Sequence, residues 1–339
     1  MSSDSLIDIV ICTYNNAAML DRVLQRLVAQ DTTDVSWSVL VVENNCTDAT
    51  QPIVAEYIAA GKIPGLRIVS EPVQGLTPAR LRGVHETTAP WIAFVDDDCL
   101  LDRGWIGAAA DFAIQHPEAA AFGGCVVPDW EVPSTPFLLR YNWCYAAQDY
   151  GCHPCQVEFL VGAGIVINRG ALFETGWTSN QYLDDRIGRQ LISGGDVEIA
   201  LRLLGIGRPL WFTPNCVIRH AISRNRITVR YLAAINRRLG TSYVFAEAMK
   251  STTPTWLGVL LRDTLAEAAQ LPWQIVRVLR GRRSELNFLH GPTASDFLLC
   301  TCFFLGKLEG LARLCYLHFM GSTSFVGCGA PGRHIARSI

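Results

Sequence analysis

Over about its first hundred residues the chain changes texture at short, regular intervals, and this alternation restricts the fold more than any other feature. Ile7-Asp8-Ile9-Val10-Ile11-Cys12 is an apolar run of strand length, and Ala17 to Ala29 then places Leu20, Val23, Leu24, Leu27 and Val28 on one helical face. Trp37 to Val42 reads as a second strand, and Thr47-Asp48 opens a helix over 49–60. Leu66 to Val69 is a third strand, Thr77-Pro78 starts a third helix with proline at a tolerated first-turn position, and Trp91 to Val95 is a fourth strand. Residues 105–115 predict another helix. Strands separated by helices with short links define an α/β fold: an open, mainly parallel sheet flanked by helices on both faces.

Beyond residue 121 the pattern breaks into short strands and loops. Leu160 to Ile167 reads as a glycine-kinked apolar strand, Val197 to Leu204 as a short helix, and Pro209 to Pro214 with Cys216 to His220 as a bent strand pair. From about 226 the texture is helical, with a loose Gly/Ser-rich tail from 321. Charge divides the chain at the same place. Residues 1–225 carry 15 Lys/Arg against 25 Asp/Glu, and residues 226–339 carry 14 against 6. We therefore divide the chain into an α/β region, 1–225, and a basic helical C-terminal region, 226–339. The acidic first region excludes nucleic acid as a partner. The basic second region suits anionic lipid or an anionic acceptor. Within it, residues 256–283 combine Trp256, Leu257, Val259, Leu260, Leu265, Trp273, Ile275 and Val276 with Arg277, Arg280, Arg282 and Arg283. That pattern admits peripheral contact with a membrane, and fits slightly better a helix packed on the first region with a solvated basic end.

Met1 is followed by Ser2-Ser3-Asp4-Ser5, with neither a basic stretch nor an apolar one. The expectation is a cytoplasmic protein, in contact at most with the inner face of the membrane, whose twelve cysteines are thiols. The run Phe297 to Gly306 is bounded by Asp296 and Lys307 and is too short to span a bilayer.

In open parallel α/β sheets ligands bind beyond the carboxyl ends of the strands. Here those ends are polar: Thr13-Tyr14-Asn15, Glu43-Asn44-Asn45 and Asp96-Asp97-Asp98. The first turn lacks Gly-x-Gly-x-x-Gly, and no Gly-x-x-x-x-Gly-Lys-Ser/Thr occurs, so the phosphates of a bound nucleotide need another counter-charge. Three consecutive carboxylates invite a hard divalent cation, held by one or two of them and by substrate phosphates. Alternate residues of an extended segment share a face, which groups Asp96 with Asp98 and turns Asp97 away. Taken alone, the triplet reads equally as a solvated acidic loop; the other two strand ends favour the cation.

Asp-Ile-Val-Ile-Cys-Thr-Tyr-Asn (8–15), Val-Val-Glu-Asn-Asn-Cys-Thr-Asp (41–48), Phe-Val-Asp-Asp-Asp (94–98) and Gly-Gly-Asp-Val-Glu-Ile-Ala-Leu-Arg-Leu (194–203) resemble family 2 glycosyltransferases, in the family's order and spacing over about residues 6–225. The resemblance implies a GT-A fold, an inverting mechanism, and an Asp-x-Asp motif in which Asp96 faces the donor ribose and Asp98 binds Mg²⁺ or Mn²⁺. It implies that Thr13, Tyr14, Glu43, Arg80, Asp96 and Asp97 bind the nucleotide sugar, with Asp196 as catalytic base and His220 as a second metal ligand. Glu43 replaces an Asp that usually contacts the base, which leaves the base open. Gly195 replaces the Glu of the family's Glu-Asp pair.

Other readings stand beside these. Arg80 fits a solvated helix as well as a donor site. Asp196 fits a helix N-cap, and Glu198 fits a favourable charge near a helix N-terminus. His220 is equally a structural histidine. Trp177 and Trp211 fit the core better than a sugar platform. Cys152-His153-Pro154-Cys155, with Cys144, is an incomplete zinc pattern.

The resulting expectation is a metal-dependent inverting glycosyltransferase of polysaccharide or glycoconjugate synthesis. It would move a sugar from a nucleoside-diphosphate donor to a saccharide or lipid-linked acceptor. The alternatives are a nucleotidyltransferase on a similar frame and a non-catalytic sugar-binding relative.

Overall fold

The structure is a computed structural model that describes residues 5–32, 35–183, 185–186, 194–253, 255–266, 294–321 and 326–329. Its elements follow the alternation of the sequence. Strands β1 (Ile7–Thr13), β2 (Trp37–Glu43), β3 (Arg67–Ser70) and β4 (Trp91–Phe94) are joined by helices α1 (Ala17–Val28), α2 (Thr50–Ala60) and α3 (Leu76–Glu86). Then come β5 (Cys99–Leu101), α4 (Trp105–Gln115), β6 (Ala121–Gly123), β7 (Val126–Trp130), α5 (Pro136–Leu139), β8 (Cys155–Val157), β9 (Ile165–Asn168), α6 (Arg169–Glu174), α7 (Gly195–Gly205), β10 (Leu210–Phe212), β11 (Ile218–Ile222) and α8 (Val229–Lys250). A long helix over Ala294–Phe319, here α9, follows.

Eight strands form the central sheet in the order β3-β2-β1-β4-β9-β6-β10-β8. The first four are mutually parallel, and β9 runs antiparallel to both β4 and β6. Both faces are covered, as the continuous apolar strands require. Ile7, Ile9 and Ile11 of β1 pack with Leu20, Val23, Leu24 and Leu27 of α1 and with Trp105 and Ile106 of α4. Val10, Leu40 and Val42 point the other way, onto Ala79 and Val84 of α3 and Ile199 and Leu203 of α7. Fully burying each of these aliphatic side chains contributes roughly 1.5–3 kcal/mol.

A smaller sheet, β5-β11-β7, stands beside the main one. It corrects the expected strand pair at 209–220: β10 joins the large sheet and β11 the small one, because the chain between them crosses from one to the other. The expected strand over 160–167 is also shorter. Only Ile165–Asn168 pairs, and residues 160–164 form a loop beside the carboxyl end of β4.

Helices α8 and α9 pack against each other, and Val244, Phe245 and Met249 of α8 meet Leu201 of α7. Among the described residues no helix is long and apolar enough to cross a membrane. Most of the segment 256–283 and most of the tail from 321 lie outside the described residues.

Candidate active site

The carboxyl ends of β1, β2 and β4 open onto a crevice of about 1070 Å³. Of the residues singled out in the sequence, Thr13, Tyr14, Arg80, Asp96, Asp97, Asp98, Asp196 and His220 line it. Glu43 lies outside that lining. Its buried carboxylate accepts hydrogen bonds from Cys46 N at 2.9 Å, Gln51 Nε2 at 3.1 Å and the Ser70 hydroxyl. Burial alone would raise its pKa, but these hydrogen bonds outweigh burial and hold the carboxyl below its usual range.

The three consecutive aspartates have different surroundings. Asp97 turns inward, accepting from Thr13 Oγ1 at 2.6 Å and Asn16 Nδ2 at 2.9 Å. Burial, helped by the charge of Asp98, pushes its carboxyl up to about 7. Thr13 thus spends its hydroxyl on Asp97. Asp96 and Asp98 lie on the other side of the segment, and their carboxylates fall within 4.8 Å of each other and of the Cys99 thiol.

Asp98 meets the small sheet. The register pairs Cys99 of β5 with His220 of β11, and Ala221 N donates to Asp98 O at 2.9 Å, which brings His220 to the aspartate. His220 is buried, and its Nδ1 donates to the Tyr145 carbonyl at 2.8 Å. That bond fixes the tautomer and, in a neutral ring, leaves a lone pair on Nε2, 3.3 Å from Asp98 Oδ2. In that state two acceptors face each other and a cation between them satisfies both, whereas a protonated Nε2 donates to Asp98 directly. Arg226 Nη1 supplies such a cation, at 2.8 Å from Asp98 Oδ2 and 3.4 Å from His220 Nε2. Burial opposes charge on Asp98, but His220 in its charged, donating form and Arg226 prevail and hold it well below the usual carboxylate range.

This donor set fits a hard divalent cation. Asp96 and Asp98 offer oxygens close enough to share one cation, and His220, whose tautomer is fixed by its carbonyl partner, reaches Asp98 without closing into a group of three with both aspartates. Cys99 is the poorer match, because a soft sulfur ligand suits Mg²⁺ or Mn²⁺ less well than hard oxygen donors. A cation at Asp98 has to share that carboxylate with Arg226 or displace it.

Across the crevice, α7 begins with Gly194 as its N-cap residue, so Asp196 lies in the first turn rather than at the cap. Its Oδ2 accepts from Gly162 N and its Oδ1 from Val197 N, both at 3.0 Å, and the carboxylate remains partly exposed to the crevice. Gly162 permits this approach: a Cβ there would lie 3.0 Å from the Cβ of Asp196. Glu198, about 200° further round the helix, points away. It is 0% exposed, pairs with Arg202 at 2.6 Å, and accepts from the backbone amides of Tyr182 and Leu183. Its position is that of a buried clamp rather than of a simple charge at a helix end.

Arg80 is not a solvated helix arginine. It is 4% exposed, pairs with Asp185 at 3.1 Å and Asp96 at 3.8 Å, and lies over the Phe94 ring. Asp185, Arg226 and Asn16 join the site without a signal in the sequence beyond their polarity. Trp177 is core. Cys144 packs against Asn236 of α8, and among the described residues the only group of three possible metal ligands is Asp96, Asp98 and Cys99, so the Cys152–Cys155 pattern forms no such group.

Residues 8–175 match the family described as Glycosyl transferase family 2. A stretch of 106 residues is 29% identical to the glucosyl-dolichyl phosphate glucuronosyltransferase of Haloferax volcanii, covering 30% of this chain and 34% of that one. Another, of 128 residues, is 31% identical to the validoxylamine A glucosyltransferase of Streptomyces hygroscopicus subsp. jinggangensis, covering 35% of this chain and 28% of that one. The matched stretches thus span about a third of those relatives' own length. Among solved structures, the mannosyltransferase PcManGT from Pyrobaculum calidifontis, in complex with GDP-Man and Mn²⁺, has a TM-score of 0.55 at 18% identity, over 97% of this chain and 86% of that one. GalNAc-T7 with UDP, GalNAc and Mn²⁺ has a TM-score of 0.51 at 15% identity, over 74% of this chain and 51% of that one. At these identities the likeness shows a shared fold, the GT-A arrangement.

Proposed function

With a glycosyl transferase family 2 domain over residues 8–175, the chain belongs to that family, and on that premise we propose that it is an inverting, metal-dependent glycosyltransferase using a nucleoside-diphosphate sugar. The observation that carries this reading is the single crevice lined by both the Asp96–Asp98 pair and the partly exposed carboxylate of Asp196.

On the donor side Tyr14 offers an exposed ring for the nucleoside, and Arg80 places a buried positive charge beside Asp96. Asp96, Asp98 and His220 would hold Mg²⁺ or Mn²⁺, which when bound supplies counter-charge for the diphosphate leaving group. Asp97 acts from behind, keeping Thr13 and Asn16 in place rather than touching the donor. On the acceptor side Asp196 takes the proton of the attacking hydroxyl. The amides of Gly162 and Val197 orient its carboxylate without covering it. Attack opposite the leaving diphosphate inverts the anomeric carbon, as in inverting glycoside hydrolysis with a sugar hydroxyl in place of water.

The acceptor is a saccharide or lipid-linked hydroxyl. The name of one relative, which couples glucuronosyl transfer with glucosyl-dolichyl phosphate, supports this class. The basic C-terminal region, 226–339, would bring the enzyme to a lipid-linked acceptor at the cytoplasmic face of a membrane. Flotation with anionic and neutral liposomes checks that contact, and binding to neither contradicts it.

The enzyme reading is tested by melting the protein with a panel of nucleotide sugars, with Mn²⁺ and with chelator, and then following turnover. At least one donor is expected to raise the melting temperature only with metal and to release a nucleoside diphosphate when acceptor is added. Stabilisation by no donor contradicts the reading, and release of pyrophosphate points to nucleotidyl transfer instead.

A further inference from the structure

Arg80 is a forked, planar cation with little freedom: fixing one arm of the guanidinium fixes the other. One arm, Nη1, is held by Asp185 Oδ2 at 3.1 Å. The other, Nη2, points at Asp96 and at the space above Gly162. A Cβ on Gly162 would lie 3.1 Å from Arg80 Nη2 and 3.2 Å from Asp196 Oδ2, so the arginine and Asp196 converge on one point. Asp185 itself is 8% exposed, and it reaches Arg80 from the segment before α7 rather than from a strand end.

Gly195 explains how Asp185 gets there. Its φ is not in the left-handed region, and it begins α7 in ordinary helical backbone, so the glycine is not required by conformation. It is required by space: a Cβ at 195 would lie 2.4 Å from Asp185 Oδ2 and 3.0 Å from its Cγ. By standard bond lengths an aspartate oxygen lies about 2.4 Å from its own Cβ. An aspartate at 195 could therefore bring a carboxylate oxygen to the place that Asp185 Oδ2 fills, and the two side chains are alternatives for one location.

We propose that Asp185 supplies, from the segment before α7, the buried carboxylate for which Gly195 leaves room, and that its task is to aim the free arm of Arg80 at Asp96 and the space beside Asp196. It is a positioning residue for the transfer described above, and the inference rests on that reading of the site. Burial raises the Asp185 carboxyl against the pull of Arg80 on one oxygen, while the other oxygen accepts from Arg186 N at 2.9 Å.

The test is a four-member cycle: wild type, Asp185→Ala, Gly195→Asp and the double variant, each melted and each assayed for kcat and donor KM. Asp185→Ala leaves Arg80 buried without its partner and is expected to lower both the melting temperature and kcat, the latter on the order of 10²-fold. Gly195→Asp alone crowds two carboxylates onto one arm of Arg80 and is expected to lower both as well. The double variant is expected to melt close to wild type and to recover kcat to within about tenfold. Additive losses in the double variant overturn the exchange. A restored melting temperature with kcat still depressed overturns the positioning role, because a merely structural carboxylate would behave in that way. Should the wild type transfer no sugar, the functional reading fails, while the melting cycle still decides: recovery upholds the exchange and additive loss overturns it.

Discussion

Asp96, Asp97 and Asp98 are neighbours in sequence with opposite tasks, and their substitutions should separate. Asp98 carries the charge nearest His220 and Arg226, so Asp98→Asn removes a ligand and an anchor together. It is expected to abolish Mn²⁺ binding by calorimetry and donor turnover with it. Asp97, whose carboxyl is already raised to about 7 by burial and then by Asp98, comes close to the neutral state that Asp97→Asn imitates. That variant should keep metal binding and lose much less turnover. Equal losses in the two would contradict the division. The alternation of side chains along an extended segment made this grouping legible in the sequence. The arginine that bridges Asp98 and His220 was not legible, because Arg226 is one of several basic residues in a loop and only the β5–β11 register brings that loop to Asp98.

Helix α7 shows both what periodicity reveals and what it conceals. Its bounds and its motif were readable, but the environments of its two acidic residues were not. Asp196 and Glu198 stand on opposite sides, and Glu198 is buried against Arg202 and two backbone amides supplied by a distant loop. Breaking a buried pair leaves an uncompensated charge, so Glu198→Gln is expected to cost about 3 kcal/mol of folding stability. The variant that still folds should transfer far better than Asp196→Asn. Denaturant unfolding beside a transfer assay checks this, and unchanged stability with slow transfer would reverse the two roles. The loop 160–164 failed as a strand for a related reason. Its apolar residues mark burial, but Gly162 and Gly164 serve a close approach to Asp196 and a left-handed turn rather than a ladder.

At the scale of the molecule, the sequence divides acidic from basic near residue 225, and the structure joins the two parts at the crevice. Arg226, with Ile235 and Leu239 of α8, lines the same crevice as the strand ends. Helical texture told that a helix follows, but not where it docks, since docking depends on shape complementarity across the fold. The catalytic frame is therefore legible from residues 8–98 and 194–203, while the wall that closes the crevice is not. Donor binding and sugar transfer, measured side by side for wild type and Asp196→Asn, test the whole arrangement most directly. The substitution is nearly isosteric and leaves Asp96, Asp98 and Arg80 untouched. It is expected to bind nucleotide sugar and Mn²⁺ with near-normal affinity and to transfer at least ~100-fold more slowly. Transfer at the wild-type rate would show that Asp196 is not the base and would contradict the mechanism.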